Sequence, residues 1–274
     1  MNSPPVDALA LLAALSLITF AVFGRMLRRV QQEGGKVRGD IFGFPELLIS
    51  LVLAQIFVGL VVIGVWRAAH GIAPKPIGME RVLPDALQFV VLTAGLIGFL
   101  AFRGIDVSRA LGLGQLSLPR VILLGFGLIL AAFPGVLLGS SFMQFWLQTS
   151  AQKQELVILF EQVTRAADHS GITKILVVGA IIAPVCEEFL FRGLFYPAFK
   201  RYLGSVASAL LTSALFSAFH LNLAALPSLF LLALCFVIAY EGTGSLLVPM
   251  TMHALFNGAQ LLFLYLTVRS DLPI

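Results

Sequence analysis

Three short polar motifs carry the residue types of a hydrolytic site. They are, in chain order, Glu187-Glu188-Phe-Leu-Phe-Arg192, Phe216-Ser-Ala-Phe-His220 and His253-Ala-Leu-Phe-Asn257. Carboxylates and imidazoles can take up and release protons, and amide N–H groups can stabilise a negatively charged oxygen. Such a set of side chains could activate a water molecule for attack on a carbonyl carbon.

All three motifs lie in stretches that are otherwise apolar. The 274-residue chain is 59% hydrophobic and only 12% charged, whereas about a quarter of the residues in an ordinary soluble chain are charged. This composition predicts an all-α, polytopic membrane protein. Three charges near the centre of one membrane helix would cost roughly 8–10 kcal/mol. Ionisable groups in hydrocarbon are therefore usually functional.

A membrane span needs about 20 mostly apolar residues. About eight segments fit this requirement, namely 8–24, 47–66, 86–102, 121–146, 174–192, 206–226, 227–240 and 246–267. Only Pro227 separates the sixth segment from the short seventh, so seven spans with a re-entrant piece form an alternative. We expect one membrane domain over 1–274, in which 1–146 supports a catalytic core at 174–267.

The distribution of charge predicts how the chain lies in a membrane. No basic residue precedes the first apolar run, and Arg25, Arg28 and Arg29 follow it. This order indicates an uncleaved first span with its N-terminus outside, in a multi-pass protein of the cell membrane. The net charge of +4 suits anionic lipid headgroups. No basic and aromatic motif indicates binding to nucleic acid.

Two connecting segments have a composition of their own. Residues 67–85 are rich in Gly and Pro and predict an irregular outer loop. Residues 152–167 mix apolar and charged positions and predict an amphipathic helix.

Helical spacing divides the two adjacent glutamates between two roles. Glu188 and Arg192 are four residues apart, so they share one helix face and can pair. Glu187 is rotated by about 100° from Glu188, which leaves it free for chemistry. Pro184, three residues before Glu187, should kink the helix and free the carbonyl of residue 180.

Counting residues from the span ends gives the depth of each motif. At about 1.5 Å per helical residue, Glu187 and His253 fall at a similar level of a ~30 Å hydrocarbon core. His220, counted from the start of its predicted span, falls about 10 Å too far from the inner face by the same rise. Either the helix that carries His220 begins below the membrane surface, near Pro197, or the predicted span 206–226 is misplaced.

The ordered set Glu-Glu-x-x-x-Arg, Phe-x-x-x-His and His-x-x-x-Asn resembles the CAAX-protease and bacteriocin-processing family of intramembrane proteases. This family includes the type II CAAX prenyl endopeptidases and the lysostaphin-resistance-protein-like bacterial proteins. The resemblance covers about residues 174–260 and extends to Phe191-Arg192-Gly193 and Gly244-Ser245-Leu246.

The resemblance implies a helix bundle that encloses a catalytic cavity within the membrane. It implies that Glu187 is the general base that activates water, and that His220 helps to hold this water. His253 and Asn257 would stabilise the oxyanion, and Arg192 would brace Glu188. The implied reaction is cleavage of membrane-associated peptides, including prenylated CAAX-type substrates, without a required cofactor.

Two other interpretations use the same residues. Glu187, His220 and His253 could be three zinc ligands that leave one coordination position open, although no His-Glu-x-x-His motif is present. The site could instead be the proton relay of a transporter. Transporters often contain internal repeats, and we find no repeat in this chain.

Overall fold

The computed structural model describes residues 6–72, 78–147 and 155–270, and the regular structure in these ranges is helical. The predicted all-α class is therefore confirmed. The α-helices are α1 (Val6–Glu33), α2 (Phe44–Ala69), α3 (Met79–Phe102), α4 (Val107–Ala110), α5 (Leu118–Leu147), α6 (Glu155–Arg165), α7 (His169–Val177), α8 (Ala183–Glu188), α9 (Tyr196–Phe219), α10 (Leu226–Thr243) and α11 (Leu247–Arg269).

Six of the described helices are long and apolar enough to cross a membrane. They are α1, α2, α3, α5, α10 and α11, and they correspond to six of the predicted spans. The chain is thus a multi-pass membrane protein. The predicted count of eight is not confirmed, because neither 174–192 nor 206–226 forms a single uninterrupted apolar helix.

The predicted fifth span is part of a longer helical run that changes its winding twice. Between α7 and α8 lies a π-helical segment, Val178–Ile182, and between α8 and α9 lies a second, Phe189–Phe195. A proline lies two residues after the end of each segment, Pro184 after the first and Pro197 after the second. Proline lacks an N–H group and clashes with the carbonyl four residues earlier. The wider π turn relieves this clash, and such turns occur frequently at functional sites.

The predicted sixth span is shorter than expected. Gly204 has φ 76° and ψ 170°, so it interrupts α9, and the helix that follows ends at Phe219 rather than at residue 226. This second part of α9 is about 22 Å long at 1.5 Å per residue, less than the ~30 Å hydrocarbon core. His220 thus lies directly after the end of a short helix, whose start at residue 205 leaves its counted depth unchanged.

The two connecting segments agree with their predictions only in part. In the predicted loop 67–85, α2 continues to Ala69 and α3 already begins at Met79, and residues 73–77 lie outside the described residues. Within 152–167, α6 forms as predicted. Leu159, Phe160 and Val163 of α6 are buried against α3, α7 and α11, so this face of the helix packs on the bundle.

Helix α2 packs on the helical run that carries the glutamates. Phe57 of α2 packs its ring on Phe191 at a centroid distance of 6.1 Å and on Phe219 at 4.6 Å. Elsewhere in the bundle, α1 and α5 join through Thr19, whose hydroxyl donates a hydrogen bond to the Ala131 carbonyl at 2.6 Å. Helices α2 and α10 both contact α9, and α3 and α11 both contact α8.

A buried carboxylate fastens the connection between α1 and α2 to the bundle. Glu241 of α10 accepts hydrogen bonds from the Tyr196 hydroxyl and from Lys200, and its other oxygen accepts one from the Val37 N–H at 3.2 Å. Lys200 also donates to the Val37 carbonyl at 2.8 Å. These bonds fix the connection near Val37 across the ends of α9 and α10.

We predict that Glu241→Ala destabilises the protein by about 3 kcal/mol, because it leaves the half-buried Lys200 ammonium without its counter-charge and the buried Tyr196 hydroxyl without its acceptor. The measurement is the melting temperature of the purified protein in detergent.

Asp40→Ala is the matched control, because it breaks the exposed ion pair with Arg38 and such pairs contribute little. Its melting temperature should equal that of the wild type. A Glu241→Ala protein that melts like the Asp40→Ala control would contradict the assigned structural role.

Candidate active site

A fully buried ion pair forms the base of the site. Arg192 Nη1 donates to Glu188 Oε1 at 2.8 Å, and both side chains are 0% exposed. Arg192 Nη2 donates to the Ala233 carbonyl of α10 at 3.2 Å. The guanidinium carbon lies 4.6 Å from the ring centre of Phe216 and 5.2 Å from that of Phe236. The pairing predicted from the i,i+4 spacing is present, and two aromatic faces surround the cation.

His253 of α11 joins the two glutamates. Its Nδ1 lies 2.9 Å from Glu188 Oε1, and its Nε2 lies 3.9 Å from Glu187 Oε2. A carboxylate oxygen that already accepts from Arg192 can only accept a further bond, so His253 Nδ1 carries the hydrogen. The imidazole is thereby fixed in orientation, with Nε2 directed towards Glu187.

The two adjacent glutamates lie in different surroundings. Glu188 is fully buried, whereas the side chain of Glu187 is 15% exposed. Among the described residues, Glu187 Oε2 has no hydrogen-bond partner, and its distance to His253 Nε2 is too long for a direct hydrogen bond. Such a distance suits a bridging water. Glu188 Oε1 thus accepts bonds from two protein groups, whereas Glu187 Oε2 accepts none. The second oxygen of Glu188, Oε2, is also without a partner, but it belongs to a side chain with no exposed surface.

His220 approaches the site from the end of α9. Its Nδ1 lies 2.8 Å from the Phe216 carbonyl, which fixes Nδ1 as the donor and leaves Nε2 as an acceptor. The Phe216 ring packs 4.8 Å from the His220 ring and 5.7 Å from the His253 ring. Phe216 therefore serves as packing between the two imidazoles, as its predicted structural role requires.

Asn257 lies one helical turn after His253 on α11. Its Nδ2 donates a hydrogen bond of 2.9 Å to the carbonyl of Gly179, in the first π-helical segment. The sequence analysis, which assumed an α-helix, predicted that Pro184 frees the carbonyl of residue 180. The carbonyl that Asn257 binds is instead that of residue 179. The difference arises because a π turn pairs residues five apart instead of four.

A cavity of about 640 Å³ adjoins these residues. Its walls include His220, His253 and Asn257, and most of the others are apolar side chains of α5, α10 and α11. Glu187 is not among the lining residues, and it lies 3.9 Å from His253, which is one of them. The cavity can accept an apolar chain while presenting imidazole and amide groups.

The sequence motifs missed four other polar side chains that line this cavity. Ser140, Asn222, Ser228 and Gln260 also line it. Gln260 follows His253 by seven residues, two turns of helix, so helical periodicity alone could have found it. The other three come from different helices and turns, and no local spacing connects them to the motifs.

The described residues contain no group of three or more His, Cys, Asp or Glu side chains placed to hold a metal ion. The combination Glu187, His220 and His253 is thus not assembled as a three-ligand set in this part of the chain. The zinc interpretation stays a prediction, which metal analysis of the protein can test.

Fold and site together define a polytopic membrane protein that buries an Arg–Glu–His cluster beside an apolar cavity. Residues 169–259 match the family model of the Rce1-like type II CAAX prenyl endopeptidases. This range contains all six residues of the three motifs that we assigned to the site. The family resemblance inferred from the motifs is confirmed over this part of the chain.

One curated relative matches part of this chain. It is an Escherichia coli protein described as "Uncharacterized 24.3 kDa protein", 41% identical over 88 residues. The matched residues make up 30% of this chain and 41% of the relative, so the similarity spans less than half of either protein. No solved structure matches the chain significantly.

We predict that Arg192→Ala destabilises the protein by about 3–5 kcal/mol, because it leaves the buried Glu188 carboxylate uncompensated. Arg192→Lys should cost less, since it keeps the charge but loses the planar fork that reaches both Glu188 and Ala233. Thermal unfolding in detergent measures both effects.

Arg109→Ala is the control for this pair of variants, because Arg109 is exposed in its pair with Asp106. It should melt like the wild type. Equal melting temperatures for Arg192→Ala and Arg109→Ala would show that the buried pair does not hold the site together.

Proposed function

We propose that this protein is an intramembrane endopeptidase of the cell membrane, in which Glu187 activates water to hydrolyse peptide bonds of membrane-associated substrates. One observation carries the proposal. Glu187 presents a carboxylate oxygen without a hydrogen-bond partner, 3.9 Å from a histidine that is itself fixed by the neighbouring Glu188. The family match over 169–259 supports the same activity.

The division between the two glutamates supports Glu187 as the base. Glu188 Oε1 already accepts bonds from Arg192 and His253, so this oxygen is occupied by the two donors that hold the buried cluster together. Glu187 has no such partners and can accept a proton from water.

In the proposed reaction, a water molecule lies between Glu187 Oε2 and the imidazole groups. His220 Nε2, whose lone pair is free because Nδ1 donates to Phe216, accepts one of its hydrogen atoms. Glu187 takes the other proton as the water oxygen bonds to the scissile carbonyl carbon. The C=O π electrons move onto oxygen, and the proton on Glu187 then passes to the leaving amine as the C–N bond breaks.

The developing oxyanion needs N–H donors in place before the reaction. We assign this role to His253 through an Nε2–H group, while its Nδ1–H donates to Glu188. The resemblance also assigns Asn257, and its second Nδ2 hydrogen is compatible with that role. In this scheme the chain supplies base and donors from its own side chains, and no metal is required.

The cavity favours substrates with an apolar portion. Its apolar walls, formed by residues such as Phe133, Leu229 and Phe256, suit a lipid-like chain or the side chains of a membrane-spanning peptide. Prenylated CAAX-type tails belong to this class, and membrane lipid surrounds both partners. Residues 1–146 would act as the support for a catalytic core at 174–267.

We predict that Glu187→Ala lowers peptide cleavage by about 10²–10⁴-fold, the usual contribution of a general base, while the protein still inserts and folds. Peptides from cells that express wild-type protein or the variant are compared by mass spectrometry. Purified proteins are then assayed on a peptide ending in a prenylated CAAX sequence and on the same peptide without the prenyl group.

Cys186→Ala is the matched control, because Cys186 is the buried neighbour of Glu187 and has no part in the proposed reaction. It should retain activity. Full activity of Glu187→Ala would contradict the proposed role of Glu187 as the base. Stoichiometric zinc, with activity lost to a chelator and restored by the metal, would replace the water-base scheme with a metal-dependent one.

A further inference from the structure

The carbonyl group of Gly179 cannot be satisfied by the helix that contains it. In the π-helical segment, the N–H of Ala183 donates to the Val178 carbonyl, five residues back. The residue five positions after Gly179 is Pro184, which has no N–H group. Of the two positions within reach of this carbonyl, Ala183 has an N–H group that is already bonded to Val178, and Pro184 has no N–H group.

Asn257 supplies the missing donor from another helix. Its Nδ2 lies 2.9 Å from the Gly179 oxygen, and a buried carbonyl without a partner would cost about 1–3 kcal/mol. The approach of the two helices is close at this point. A Cβ atom on Gly179 would lie 3.3 Å from the side chains of Leu156 and Leu261, and one on Gly258 would lie 3.8 Å from Ala180 Cβ.

Two bonds from one turn of α11 therefore reach the glutamate-bearing run at two heights. His253 bonds Glu188, and Asn257, four residues later, bonds Gly179, which precedes Glu188 by nine residues. Two separated attachment points fix both the distance between the helices and the rotation of one about its axis. Rotation matters here, because it decides whether Glu187 faces His253.

We infer that Asn257 is a positioning residue, which clamps the π-helical segment to α11 and so sets the orientation of Glu187 towards His253. The clamp exists because Pro184 removes the backbone donor that would otherwise serve Gly179. Its effect on cleavage rests on the proposed peptidase function, whereas its effect on stability does not. A residue acting only on the oxyanion would not depend on Pro184.

A double-mutant cycle between Asn257 and Pro184 tests the clamp. Asn257→Leu keeps the approximate size of the side chain but removes the donor. Pro184→Ala supplies an N–H five residues after Gly179, which can donate to its carbonyl. The wild type, both single variants and the double variant are compared by melting temperature in detergent and by cleavage of the peptides described above.

We expect Asn257→Leu to lower the melting temperature by about 5 °C, from the usual 2–4 °C per kcal/mol for a chain of this size, and to lower cleavage by at least tenfold. Adding Pro184→Ala to Asn257→Leu should return the melting temperature most of the way to the wild-type value. It should also raise cleavage at least tenfold above that of the Asn257→Leu single variant.

Recovery of melting temperature without any recovery of cleavage would overturn the positioning role and assign Asn257 to the oxyanion. A wild-type melting temperature for Asn257→Leu would overturn the clamp itself, and this arm decides the matter even where Pro184→Ala fails to fold. Absence of cleavage by the wild type would count against the peptidase function alone, since the melting temperatures still test the clamp.

Discussion

The need to neutralise a fully buried guanidinium controls the arrangement of this protein. Arg192 has no exposed surface, and an unpaired charge in a low-dielectric interior is strongly unfavourable. The Glu188 carboxylate, the Ala233 carbonyl and the rings of Phe216 and Phe236 together surround it. Because these groups come from three helices, pairing the cation also brings those helices together, and His253 then joins the same carboxylate.

The two prolines in the glutamate-bearing run explain why its winding is irregular. Pro184 and Pro197 each follow a π-helical segment, so the short α8 that holds Glu187 and Glu188 lies between two wider turns. A uniform α-helix would present these side chains at a different angle to α11. The irregular winding and the contacts from α11 thus act together, since the first frees a backbone carbonyl and the second binds it.

Local patterns predicted a large part of the fold and of the site, and long-range packing decided the rest. Apolar length located six helices, and the i,i+4 rule located the Glu188–Arg192 pair, because both depend on neighbouring residues. The end of α9 at Phe219 could not be read from hydropathy, because mostly apolar residues continue to 226. Glu241 lay just beyond the predicted span 227–240, so its burial with Lys200 and Tyr196 was missed. The contact of His253 with Glu188 joins residues far apart in the chain, and no spacing rule reports it.

In the proposed mechanism, Glu188 holds the buried cluster together, whereas the adjacent Glu187 acts as the base. The most direct measurement compares Glu187→Gln with Glu188→Gln, recording the melting temperature and the cleavage rate of each purified protein. Both substitutions remove one charge and preserve the size of the side chain. We predict that Glu187→Gln melts like the wild type but loses cleavage, whereas Glu188→Gln melts at a clearly lower temperature. A lower melting temperature for Glu187→Gln, together with a stable and inactive Glu188→Gln, would contradict this mechanism.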